Sequence, residues 1–83
     1  MSEIKLSVKA LSIQPNSYYE HFKGMKYKVL SVARHSETLE EYVVYQALYG
    51  EMGVWIRPLA MFLEWVEVNG EKKPRFKRLE SEE

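Results

Sequence analysis

The chain contains no cysteine and no aspartate. The first absence excludes a disulfide framework, a thiol nucleophile, an iron–sulfur cluster and a Cys-type zinc site. The second leaves glutamate as the sole source of carboxylate chemistry. Net charge is absent as well: 12 bases balance 12 acids, so nothing pulls the whole chain toward nucleic acid or anionic lipid. Long apolar runs are missing too. The longest, Pro58 to Leu63, falls far short of the ~18 residues a membrane span needs. Met1-Ser2-Glu3-Ile4-Lys5 lacks the apolar centre of a signal peptide, and neither end carries a lipidation signal. The expectation is a cytoplasmic protein with no membrane partner.

What is present suffices for one small folded domain. Of 83 residues, 46% are hydrophobic and 13% aromatic, too apolar for a disordered chain. Surface scaling gives roughly 5,200 Å² folded against roughly 14,200 Å² unfolded, enough burial for a core without a metal or disulfide staple. The charge that sums to zero is nonetheless uneven. Residues 1–35 carry +4, residues 36–70 carry −5 and residues 71–83 carry +1. Opposed faces of this kind suit a specific protein contact, although a solvated surface explains them equally simply.

Residues 1–16 read as an N-terminal extension. Ile4, Leu6, Val8 and Ala10 alternate with polar residues as in an added strand, although Ile4, Val8 and Leu11 also fit a helical stripe. Pro15-Asn16-Ser17 punctuates the chain. Tyr18 to Phe22 reads as a short strand turned by Lys23-Gly24, and Met25 to Arg34 as a longer one with Tyr27, Val29, Ser31 and Ala33 on one face. After the polar loop His35 to Glu40, Glu41 to Tyr49 is the strongest strand, rich in valine and tyrosine. Glu51-Met52-Gly53 suits a three-residue hairpin loop closed by glycine, which pairs Tyr49 with Trp55 and Ala47 with Arg57. Val54 to Arg57 is stopped by Pro58, and Leu59 to Phe62 forms one helical turn. Leu63 to Val68 resumes as strand, and Asn69-Gly70 is a hairpin signal. The returning Glu71 to Phe76 contains Pro74, which restricts it to an edge or a loop. Residues 77–83 read as a charged, disordered tail.

Five or six short antiparallel strands with one helical turn cannot bury both faces as a flat sheet. They predict an all-β domain over residues 17–76, a small SH3-like barrel or roll. Its expected core is Phe22, Val29, Ala33, Val43, Val54, Ile56, Phe62 and Val66, with some tyrosines.

Several segments carry a resemblance. Tyr19-Glu20-His21-Phe22-Lys23-Gly24, Ala33-Arg34-His35-Ser36-Glu37-Thr38, Val43 to Gly50, Trp55-Ile56-Arg57-Pro58 and Met61-Phe62 together resemble a bacterial family known as domain of unknown function 1653. The likeness runs from Tyr19 to Val68 and covers about fifty residues. It implies a fold similar to SH3-type barrels and implies no activity. Residues 1–14 and the charged tail lie outside it.

Individual residues offer little catalysis. His35 and Ser36 are adjacent in extended chain and point to opposite sides, so the histidine is poorly placed to take the serine's proton. Two scattered histidines, His21 and His35, lack the spacing of a metal site. No cofactor is expected. A nucleic-acid interface would use Tyr27, Tyr45, Tyr49 and Trp55 for stacking, with Lys23, Lys26, Lys28 and Arg34 for phosphates. Against it stand the zero net charge and the demand of a small core for its aromatics.

The candidate ligand-binding set is Arg34, His35, Tyr45, Gln46, Trp55 and Arg57. Arginine and glutamine on central strands need partners when covered. Arg57 would pair internally with a glutamate such as Glu41, and Gln46 with backbone. Otherwise the two arginines would present planar donors to a ligand in a shared groove. The sequence therefore predicts a non-catalytic module that binds a peptide or partner protein, with single-stranded nucleic acid as the alternative.

Overall fold

A computed structural model describes residues 6–80. The chain is all-β apart from two single helical turns, and seven strands form where five or six were expected. In chain order they are β1 (Tyr18–His21), β2 (Lys26–Arg34), β3 (Glu41–Ala47), β4 (Val54–Pro58), β5 (Trp65–Val68), β6 (Glu71–Pro74) and β7 (Phe76–Leu79). The helical turns are α1 (Val8–Leu11) and α2 (Leu59–Phe62). Every pairing is antiparallel. Five strands hydrogen-bond in the order β4-β3-β2-β1-β7, while β5 and β6 form a separate ribbon.

The centre of the sheet follows its side-chain pattern. On β3, Val43, Tyr45 and Ala47 alternate inward with period 2 and are all buried. On β2, Tyr27 and Val29 do the same, but the register then slips by one between Val29 and Ser31. This bulge brings Val32 opposite Val43, against the core, and turns Ala33 outward, where it is exposed. The expected core position for Ala33 is thereby corrected. Val29, Val43 and Phe62, all expected inside, are the largest fully buried side chains.

Val54 and Ile56 are a second correction. They pair with Gln46 and Val44, on the face opposite to Val43 and Tyr45, and no element covers them. The β3–β4 connection is also longer than the three-residue loop expected. Trp55 lies opposite Tyr45, not Tyr49, and Arg57 lies opposite Val43, not Ala47. The left-handed positions are Gly50 (φ 57°) and Met52 (φ 59°), not Gly53. The cause is Tyr49, which leaves the ladder to pack on Tyr27, with their hydroxyls 2.6 Å apart. Because the slip is four residues, an even number, facing parity is unchanged. Asn69-Gly70, by contrast, forms the expected tight turn with both residues at positive φ.

Both termini depart from expectation. Residues 1–5 of the anticipated N-terminal strand, and residues 81–83 of the tail, lie outside the described residues. Val8–Leu11 is helical because the Ser7 side chain caps it, accepting the Ala10 amide at 3.1 Å. Its inward residues are Ala10 and Ile13, three apart: the alternation caught Ala10 and Leu6 but also the exposed Val8, and Val8 and Leu11 of the helical stripe are both exposed. At the other end, residues 77–79 are not a disordered tail: they belong to β7, which pairs along the whole of β1. Phe76 opens that strand and anchors it in the core.

One clamp ties α1 to the sheet. The Ser7 amide and hydroxyl both donate to the Glu41 carboxylate, at 2.7 and 2.6 Å. These two hydrogen bonds, with help from Arg34, hold Glu41 below the usual carboxylate range. A depressed carboxyl contributes stability above its unfolded value, near pH ~4.3, and loses it as pH falls through the lower folded value. The melting temperature of the wild type should therefore exceed that of Glu41→Gln at neutral pH. The two should converge in acid, once pH has fallen below the lowered folded value. A gap that persists undiminished in acid would show that Glu41 acts through something other than its charge.

Candidate functional site

The six candidate residues fall into four places. Tyr45 and Arg57 are brought together: the Arg57 Nε–H donates to the Tyr45 hydroxyl at 3.2 Å, and its guanidinium sits 5.5 Å from the Phe76 ring. The arginine is thus satisfied internally, as expected, but by a phenol and a ring face and not by Glu41, which is bonded to Ser7. A planar guanidinium over an aromatic face suits this cover. Gln46 lies on the opposite face of β3, where its Nε2 donates to the Met52 carbonyl at 3.0 Å and fastens the β3–β4 loop. That is the internal role anticipated for it.

Arg34 and His35 lie at the far end of β2. They line an open depression of about 690 Å³ with Leu6, Leu11, Val32 and Leu39. The His35 Nδ1 accepts amides from Glu37 and Thr38, at 3.0 and 3.2 Å, and Thr38 Oγ1 accepts the Glu40 amide at 3.2 Å. The imidazole therefore organises the β2–β3 loop, with one ring nitrogen committed to backbone. Arg34 pairs in register with Glu41, whereas Arg57 pairs with Val43 one strand further over. Arg57 is not among the residues that line this depression with Arg34.

Trp55 stands apart. It is 60% exposed and is flanked by Val54 and Ile56, at 55% and 62%. These three consecutive apolar residues lie on β4, an outermost strand of the five-stranded sheet. The ladder alternation starts at the Ala47 amide, which donates to the Gly53 carbonyl at 2.9 Å. It continues through the Tyr45–Trp55 and Val43–Arg57 pairs, so the N–H and C=O groups of Val54 and Ile56 point away from β3. No backbone partner meets them among the described residues. A run of three exposed apolar residues on an edge strand is unusual, because natural sheets blunt such edges with charges, proline or bulges. Here the inward-turned Arg57 and Pro58 stand only at the strand's end.

Residues 17–78 match the sequence model of a family described as a protein of unknown function, DUF1653. The chain belongs to that family. It is also similar to a solved crystal structure, a DUF1653 protein from Bordetella bronchiseptica, with 35% sequence identity and a TM-score of 0.75. The alignment covers 84% of this chain and 91% of that one. No functionally curated protein matches the sequence.

Two features of this DUF1653 domain escaped the reading of its sequence. One is the exposed edge: Val54-Trp55-Ile56 was divided between core and ligand site, although an apolar run bounded by Gly53 and Arg57 was visible. The other is a group of lysines on β6 and β7, hidden because both segments had been given to edge, loop or tail. Among the described residues no three metal-ligating side chains cluster, and no helix is long and apolar enough to cross a membrane.

Proposed function

We propose that the domain is a non-catalytic binding module of the bacterial cytoplasm, which takes an extended segment of a partner protein as an added strand along β4. The observation that carries this reading is the coincidence, on one strand, of outward backbone groups and three exposed apolar side chains. Main-chain hydrogen bonds would supply affinity, and alternate side chains would supply selectivity. Trp55 would contact the partner from one face of the sheet, and Val54 and Ile56 from the other. The short edge, with outward donors and acceptors only at Val54 and Ile56, suits a peptide better than a large interface. A non-catalytic role agrees with His35 being committed to loop amides. A bacterial setting agrees with the Bordetella relative.

Peptides of twelve residues selected from a random display library provide the test. Bound peptides should shift the amide resonances of Val54 and Ile56. Ile56→Lys should weaken them at least about tenfold, a loss of about 1.4 kcal/mol. Its fold should survive, since exposed substitutions typically cost under about 0.5 kcal/mol. Peptides that bind Ile56→Lys equally well, or a concentration-dependent dimer that closes over β4, would overturn the reading.

A further inference from the structure

The neutral chain is not neutral locally. β1, β6 and β7 frame a depression of about 450 Å³ lined by Lys72, Lys73 and Lys77, together with His21, Phe22 and Glu20. Glu20 is the single acid in this lining and lies in register with Lys77, while Lys72 lies in register with Glu67 on β5. The lining itself thus holds three lysines against one glutamate. The one ion pair among the described residues joins Arg75 to Glu64 at 3.4 Å, so none of these lysines is engaged in one. The same fold that brings these bases together leaves Glu37 and Glu40 at the opposite end of the sheet, on the β2–β3 loop.

We propose that this depression binds the terminal phosphate of a small phosphate monoester. A dianion is the ligand that several neighbouring lysines suit best, since each acts as a point charge on a flexible stem with three rotatable donors. A monocarboxylate would leave part of the excess charge unanswered. A bounded depression also differs from the long basic groove that tracks a nucleic-acid strand. The His21 ring adds a donor. Its Nδ1 accepts the Lys23 amide at 3.2 Å, so in the neutral ring the hydrogen resides on Nε2. His21 also reports the local field. Burial, and then Arg57, Arg75 and Lys23, hold its pKa below the usual histidine value. The lining lysines are not among these causes, so the shift itself says nothing of an anion; it supplies a readout, because a dianion bound beside the ring would raise the value.

The experiment is an NMR titration of the full chain at low salt. Its arms are inorganic phosphate, a nucleoside monophosphate, acetate, and a single-stranded oligonucleotide lacking terminal phosphate. Phosphate and the monophosphate should give saturable shifts at His21, Gly24, Lys73 and Lys77, and should raise the His21 pKa. The double variant Lys73→Gln, Lys77→Gln replaces exposed side chains and should keep the fold, seen as an unchanged amide spectrum elsewhere. It should weaken phosphate binding about tenfold or more. Equal affinity for acetate, tighter binding of the oligonucleotide, an unmoved His21 titration, or an unchanged affinity in the double variant would each overturn the proposal. None of the residues lining the depression lies on β4, so this result and the peptide result are distinguishable.

Discussion

Phe76→Ala is expected to remove about 3–5 kcal/mol, the usual cost of emptying a buried aromatic site. For a chain of this length total stability is on the order of 4–12 kcal/mol, so the substitution takes a large share or all of it. The reason is position. Phe76 is buried between the five-stranded sheet and α2 and stacks on Phe62, with centroids 4.2 Å apart and planes 7° from parallel. His21, Tyr27 and Tyr45 approach it edge-on at 5.0, 5.7 and 5.6 Å. Arg57 covers it from a further direction. Each aromatic pair adds about 0.5–1.5 kcal/mol beyond its buried area, and these pairs all share one ring. Chemical denaturation should show the loss as a lower midpoint with an unchanged slope. Where Phe76→Ala does not fold, Phe76→Leu keeps most of the volume, loses the ring contacts and should cost about 1–2 kcal/mol. A Phe76→Ala domain within about 1 kcal/mol of wild type would mean that β7 does not anchor the core.

That ring shows why part of the fold was legible and part was not. β3 and α2 announce themselves locally: alternating Val43 and Tyr45, then Pro58 followed by one apolar turn, leave few alternatives. Asn69-Gly70 does the same, because two consecutive positive-φ residues admit little else. Phe76 sits in a basic stretch just after Pro74, and nothing nearby reveals that β1 will receive it as a strand partner. The contact is long-range, set by how β1 presents its free edge. The bulge after Val29 is likewise invisible, since an inserted residue leaves the sequence pattern intact while exchanging Ala33 for Val32. Of the six candidate residues, Gln46 and Arg57 were read as needing partners, internal or in a ligand, because a covered amide or guanidinium must be bonded somewhere; each has an internal one. Their partners, Met52 and Tyr45, depended on a loop whose length was set by Tyr49 reaching back to Tyr27.

The N-terminal segment gives the other large effect. The family match begins at residue 17, which would make everything before it an accessory. Ala10 and Ile13 argue otherwise, at 1% and 5% exposed within the same core cluster as Val29 and Phe76. The segment is fastened at several points. Ser7 is held by Glu41, the Gln14 side chain accepts from Arg78 at 3.0 Å, and the Asn16 amide donates to the Val29 carbonyl at 2.8 Å. Those anchors fall on β3, β7 and β2, so α1 is braced across the sheet instead of hanging from one end. Ile13→Ala should therefore cost about 2–4 kcal/mol and Ile13→Val about 0.5–1.5 kcal/mol, the values of a true core site. Val8→Ala, on the exposed side of the same turn, should stay within about 0.5 kcal/mol of wild type. For a domain of this size, each kcal/mol moves the melting temperature by about 4–8 °C, so the contrast between the two alanine variants is readily measured. If Ile13→Ala melts like Val8→Ala, the segment before residue 17 does not share the core. If it melts far lower, the cooperative unit is larger than the span the family defines, and a version of the domain trimmed to residues 17–78 should be markedly less stable than the whole chain.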